Sequence, residues 1–249
     1  MALYYAGRPL DGLQAEIKTS MYAMEHLSQN MYSLNTLPWL ILVKKLAGTT
    51  IEDNDMNFEG TMKIALESDN HLLRAYTIMG LVELNVYFQE WEVAAKLLED
   101  NNIHEVLLGF FASARFTFLE ALISIQAARR DATTWLKKRA WKRRAYKSKK
   151  MISDWVKKGN VNLVHCLHLL MAEIAALNGK NKKAEGSYKA AITVAMKNGF
   201  IQDRAFAHEL ASAYFERRGD AYWKDYHMER CLVCYNEWGA AAKLEQLNR

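Results

Sequence analysis

Proline and glycine are scarce, with two prolines (Pro9 and Pro38) and twelve glycines in 249 residues. An all-β chain needs a turn every few residues, and so little turn chemistry excludes one. Cysteine is scarce as well. Cys166, Cys231 and Cys234 cannot all pair, and no basic segment, apolar core and small-residue cleavage site mark an export signal. Reduced thiols and a cytoplasmic location are the expectation. Long apolar runs are also missing: Pro38–Val43 is short, and the stretch from Leu107 to Ile125 is interrupted by Arg115 and Glu120. No membrane span is expected. GxxxxGK, GxGxxG, GxSxG and HExxH do not occur, and the carboxylates show no defensible pairing, so neither an enzyme nor a cofactor is expected.

What the chain has is helix. Half of it is hydrophobic (51%), and Ala, Leu, Lys, Glu and Met are plentiful. Between Val161 and Leu177 the residues Val164, Leu167, Met171, Ile174 and Ala175 recur at steps that place them on one helical face. Asn178-Gly179 then suits a helix stop, because both residues tolerate the left-handed conformation. A second helix carries Ala184, Tyr188, Ala191 and Ala195 and ends at Asn198-Gly199.

A shift of forty residues superposes Gly179 on Gly219 and Gly199 on Gly239, and the stripe becomes Lys224, Met228, Cys231 and Tyr235. Weaker pairs precede it: Leu72 to Phe88 with Trp91 to Leu98, and Leu13 to Met31 with Leu34 to Leu46. Small residues stand where paired helices must approach, with Ala172 followed by Ala184, Tyr188 and Ala191 at the spacing of a tetratricopeptide repeat. Gly80, Trp91 and Ala94-Ala95 repeat the scheme with drift. The expected fold is all-α: one domain over 1–249, most regular over 155–249, forming a right-handed solenoid of antiparallel helix pairs. About eleven helices in repeats of about 40 residues would build it. Tyr235 to Leu247 should cap it, with Lys243, Glu245, Gln246 and Asn248 toward water.

Beyond the pattern, the segment from Trp155 to Leu247 resembles the tetratricopeptide-like helical region of multidomain signalling ATPases. The likeness is carried by Asn162, Ala172-Glu173, Gly179, Ala184, Tyr188, Ala191-Ile192, Asn198-Gly199-Phe200, Ala207, Glu209-Leu210, Tyr235, Trp238-Gly239-Ala240, Lys243 and Leu247. YYAGRPLDGL, KLAGTT and Phe58-Glu59-Gly60 look like earlier helices of the same region. In such proteins the region lies between an AAA-type ATPase module and GAF plus histidine-kinase modules, and this chain carries the motifs of neither. The resemblance implies a non-catalytic scaffold in a signalling protein, binding a protein partner or the flanking domains of a larger chain.

Charge is concentrated. Lys137 to Lys158 contains eleven Lys or Arg and one acid, a local +10, which leaves 22 basic against 27 acidic residues, or −5, elsewhere. A basic helix over 135–158 with Lys138, Arg139, Lys142, Arg143, Arg144 and Lys147 could hold an anionic partner. With Trp141 and Tyr146 as stacking groups over 137–150, that partner could be a nucleic acid. Alternatively, Trp141, Ala145, Ile152 and Trp155 pack inward and the charges are solvated.

Three weaker patterns remain. His227, Cys231 and Cys234 share a helix face at metal-ligand spacing, but they fall on the core stripe, and His165, Cys166 and His168 would have to come from another helix. Asp53, Asp55 and Asn57 lack the glycine of a calcium loop, having Phe58 in its place and Gly60 too late, and suit a polar loop before a helix. Arg218-Gly219-Asp220 suits a helix stop and start.

Overall fold

A computed structural model describes residues 1–49, 57–130 and 132–249. Among these the protein is all-helical, with thirteen α-helices and no strand, packed largely as adjacent pairs. The count exceeds the expected eleven because Ala2–Tyr5 and Ala241–Leu247 are too short to leave a periodic trace in sequence. No described helix is long and apolar enough to cross a membrane. Asp53 and Asp55 lie outside the described residues, while Asn57 accepts a bond from the Gly60 amide at 2.8 Å as a helix N-cap.

Two compact units are described separately. The first comprises Met1–Phe111 with Asn236–Arg249. It contains α1 (Ala2–Tyr5), α2 (Leu10–His26), α3 (Asn30–Ala47), α4 (Phe58–Glu67), α5 (His71–Tyr87), α6 (Trp91–Asp100) and α13 (Ala241–Leu247). Helix α3 packs against α2, α5 and α13. Its Trp39 is fully buried, with the rings of Tyr4, Tyr5 and Tyr76 at 6.2, 5.6 and 5.8 Å. Trp238 stands at 5.8 Å from Tyr4 and 5.4 Å from Tyr87. Gly80 is a close-approach glycine, since a Cβ there would lie 2.7 Å from the Phe58 ring. The C-terminal cap differs from expectation at Lys243. That residue is buried, lies over the Phe88 ring and donates to Gln246 at 2.7 Å, while Gln246 donates to the Phe88 carbonyl. The aliphatic stem is what packs, with the ammonium held by local acceptors.

The second unit, Ala112–Tyr235, holds α7 (Ala112–Arg129), α8 (Trp135–Lys157), a 3-10 turn (Val161–Leu163), α9 (Val164–Leu177), α10 (Asn181–Lys197), α11 (Ile201–Arg217) and most of α12 (Ala221–Trp238). Helix α7 packs on α8, α9 on α10, and α10 on α11. Ala172, Ala184, Tyr188 and Ala191 are all essentially without exposure, as the small-residue spacing requires. The face of α9 is rotated from the one expected. Val164, Leu167, Met171 and Ile174 are only half-buried, whereas His165, Cys166, Leu169, Leu170, Ala172 and Glu173 are buried. Two of the buried positions are polar, so a count of apolar residues selects the wrong stripe.

Helix ends share one device. Gly159, Gly179, Gly199, Gly219 and Gly239, 20 residues apart, all have positive φ. After Gly179 the Lys180 amide reaches back to the Ala175 carbonyl at 2.9 Å, and after Gly219 the Asp220 amide reaches Phe215 at 3.0 Å, satisfying carbonyls left open at the helix end. Arg218-Gly219-Asp220 is therefore a stop and start, with Asp220 Oδ1 accepting from the Trp223 amide at 3.2 Å.

Candidate functional site

Helix α8 starts at Thr134, whose hydroxyl accepts from the Lys137 amide, and its long polar sequence is held by a single apolar stripe. Trp141, Ala145, Ser148 and Ile152 are buried. The basic run is thereby divided among three faces. Arg139, Arg143 and Lys147 are exposed, with Arg139 over the exposed ring of Trp135. Arg144 is engaged: its Nε donates to Glu120 at 2.8 Å and its guanidinium lies over Trp141. Lys138 and Lys142 are half-buried and line a cavity of about 460 Å³.

That cavity also receives Arg129 from the end of α7 and Tyr214, Arg217 and Arg218 from the end of α11. Further along α8, Tyr146 and Lys149 line a recess of about 220 Å³ with Asn178, Lys180 and Lys183. Leu177 and Asn181, on either side of the α9–α10 turn, line the larger cavity, and Asn178 in the turn lines the smaller recess, where it donates to the Tyr146 hydroxyl at 2.9 Å. Helix α10 begins without a side-chain cap, which leaves its first amides uncapped beside Lys180 and Lys183. Eight cations thus flank one groove. The nearby acids are Glu173, which is buried and bound to Arg129 at 2.9 Å, Glu185, which accepts from Tyr214 at 3.3 Å, and the exposed Glu216, whose charge acts on Arg217 and which meets Lys224 at 3.7 Å.

Of the six basic residues singled out by sequence, the structure brings only Lys138 and Lys142 to this groove. Arg129, Lys149, Lys180, Lys183, Arg217 and Arg218 were missed. Lys149 lies inside the basic run 137–150 without having been singled out, the other five had only the faint signal of a basic residue near a helix end, and nothing short of the fold places α7, α8 and α11 around one hollow.

Carboxylates, which show no defensible pairing in the sequence, are partly interior. Glu120, Glu173 and Glu209 are buried and accept the hydroxyls of Ser148, Tyr188 and Tyr235 respectively. Each bond ties a helix to a following one and satisfies a carboxylate that would otherwise be costly to bury. The Tyr188 hydroxyl is pushed well above its ordinary value, first by burial and then by the adjacent Glu173 charge.

The most concentrated interior chemistry is on α7, α9 and α11. Arg115 donates to Asp203 at 2.6 Å, His165 Nε2 meets Asp203 at 2.9 Å, and Cys166 Sγ lies 3.3 Å from the same nitrogen. Burial alone would raise the Asp203 carboxyl, but Arg115 and His165 outweigh it and hold it below the usual range. Burial would likewise lower His165, but Cys166 and Asp203 outweigh it and raise it to about 10. Both partners address Nε2, whereas a nucleophile–base relay uses the two ring nitrogens separately, and Cys166 is buried. His165, Cys166 and Asp203 also lie close enough to share a metal. The donor set does not fit one well: a guanidinium already neutralises the carboxylate, and an imidazole that holds its proton is not a ligand. The cluster is a buried ion pair between helices.

The sequence-suggested set His227, Cys231 and Cys234 is not assembled as a site. Both cysteines are buried, and His227 turns to His208, Nδ1 to Nδ1 at 2.9 Å, across α11 and α12. Compared with protein-family models, curated proteins and solved structures, the chain finds no match.

Proposed function

We propose that the chain is a non-catalytic scaffold of tetratricopeptide-like helix pairs, stacked as a right-handed solenoid, serving protein–protein interaction or interdomain relay in a signalling protein. The observation that carries this reading is the repeated closure of successive helices by a buried glutamate and a hydroxyl, at Glu120–Ser148, Glu173–Tyr188 and Glu209–Tyr235. Interior chemistry of this kind is spent on holding helices in register, and what remains for function is surface. The likeness of Trp155 to Leu247 to the helical region of signalling ATPases supports the same reading, which includes a cytoplasmic setting in keeping with three free cysteines. The rival reading of 137–150 as a nucleic-acid surface loses one of its stacking groups, because Trp141 is buried.

Chemical crosslinking in the source cell, with the tagged chain as bait and mass spectrometry as readout, tests the proposal. Discrete protein partners, or a flanking module of the same polypeptide, are expected above a tag-only control. A chain that crosslinks to no protein beyond that control overturns it.

A further inference from the structure

We infer that the groove along α8, from the cavity of Arg129, Lys138, Lys142, Arg217 and Arg218 across the α9–α10 turn to the recess of Lys149, Lys180 and Lys183, binds an extended acidic peptide segment of a protein partner. This rests on the interaction-scaffold reading and names the chemistry of one of its partners.

Charge complementarity argues for the occupant. Eight cations border the two hollows, and the acids beside them each have a partner, Glu173 in Arg129 and Tyr188, Glu185 in Tyr214, and Glu216, next to Arg217, in Lys224 at 3.7 Å. Arg217 and Arg218 in the larger cavity carry guanidiniums, whose planar fork matches a carboxylate bidentately, while the Arg129 fork is spent on Gln126 and Glu173. Five of the eight cations lie outside Lys137–Lys158, where acids outnumber bases by 27 to 22, so the groove gathers positive charge from a part of the chain that is acidic on balance. Two recesses separated by one helix turn suit an extended chain, which presents side chains at about 3.3 Å per residue and can place acids in both. Uncapped amides at the start of α10 add backbone donors to the smaller recess.

A nucleic-acid strand fits less well. Single-strand sites combine cations with aromatic faces for stacking. Here Trp141 and Tyr214 are buried, which leaves Tyr146, 46% exposed, as the aromatic ring open to stacking in the lining of the two hollows.

Fluorescence anisotropy on the full chain at low salt tests the inference, with labelled hexaglutamate, hexalysine and an oligothymidylate of equal length as probes. Hexaglutamate should bind saturably and hexalysine should not. Lys138→Glu with Lys142→Glu should weaken hexaglutamate at least about tenfold, the scale expected for losing charge-assisted bonds. Arg217→Glu, on a different helix, should weaken it comparably. Arg143→Glu with Lys147→Glu, on the exposed face of α8, should change it less than about twofold. Circular dichroism melts of every variant confirm folding. Equal loss from the outer-face and groove variants overturns the inference, as does tighter binding of oligothymidylate than of hexaglutamate, or no hexaglutamate binding. Any of these, alongside crosslinked partners in the cell, leaves the scaffold reading intact.

Discussion

The two compact units are built from the same kind of helix and the same kind of turn, yet they close their interiors by different means. In Met1–Phe111 with Asn236–Arg249, Trp39 and Trp238 gather Tyr4, Tyr5, Tyr76 and Tyr87 around them. In Ala112–Tyr235, charged groups cross between helices: Arg115 to Asp203, Arg129 to Glu173 and Arg144 to Glu120. The first solution is carried largely by buried aromatic area, although Glu83 within it accepts from the Tyr5 hydroxyl at 3.1 Å. The second orders its helices through directional bonds, at the cost of desolvating charges, and it fails abruptly when one partner is removed.

Removing the centre of each arrangement should have the largest effect. Trp39→Ala should destabilise the first unit by about 3–5 kcal/mol, the range for emptying a large aromatic site. Arg115→Met should cost the second about 3 kcal/mol, because Asp203 is left buried with His165 alone. The comparison sharpens with the double variant Arg115→Met, Asp203→Leu, which should recover most of that loss, since no charged carboxylate is left stranded. No second substitution should rescue Trp39→Ala in this way. Peptide-resolved hydrogen exchange assigns each loss to its unit, and a double variant no better than Arg115→Met would sink the ion-pair account.

Tyr188→Phe is smaller, at about 1–3 kcal/mol, because it removes a hydroxyl from Glu173 but leaves Arg129 and Gln126. Urea denaturation of the full chain measures it, and a change below about 0.5 kcal/mol would mean the Glu173–Tyr188 bond is dispensable. The second unit should respond strongly to pH around the neutral range through its histidines. His165 is raised to about 10 from 6.5, so its contribution is complete below about 6.5 and is lost as pH rises toward 10. His208 and His227 are lowered to about 3 and about 4, chiefly by burial, with His227, Arg204 and Arg230 adding to the effect on His208. Their contribution is complete above about 6.5 and is lost as pH falls below it. Hydrogen exchange of Ala112–Tyr235 should therefore slow to a minimum near neutrality once corrected for intrinsic rates. His165→Gln should flatten the alkaline limb, and an unchanged limb would break the assignment.

How much of this was legible differs between the two regions for a physical reason. The helical class, the Ala172, Ala184, Tyr188 and Ala191 packing and the glycine stops could be read, because small residues and glycines have narrow structural uses. The burial of Lys243, the polar face of α9 and the glutamate–hydroxyl bonds could not. A buried Glu173 and an exposed Glu have the same letter, and only the fold brings its partners within reach. The basic run shows the same limit at the candidate site. Its linear charge was obvious, but which of its lysines face a hollow was decided by Trp141, Ala145 and Ile152 turning inward, and half of the groove came from α7, α10 and α11.

The finest difference concerns the turns. From Gly159 to Gly239 every left-handed helix stop is glycine, whereas in Met1–Phe111 the stop at Gly48 is joined by Ser28, Asp69 and Gln89 at φ of 57, 52 and 58°. The bonds are the same: the residues after them, Gln29, Asn70 and Glu90, reach back to Met24, Ala65 and Asn85 at 2.7, 3.0 and 2.8 Å. A forty-residue offset judged by glycines therefore fades upstream even though the punctuation continues. A non-glycine residue in this conformation costs about 1–2 kcal/mol, partly offset by the greater freedom glycine has when unfolded, about 0.5–1 kcal/mol. Gln89→Gly should accordingly stabilise the first unit by up to about 1 kcal/mol, while Gly179→Ala, with open space around its Cβ, should destabilise the second by about 1 kcal/mol through backbone strain alone. Thermal denaturation of the two single variants measures both signs. If Gln89→Gly destabilises, the Gln89 side chain, which has interactions of its own, outweighs the backbone, and the two regions differ in more than the letter at the stop.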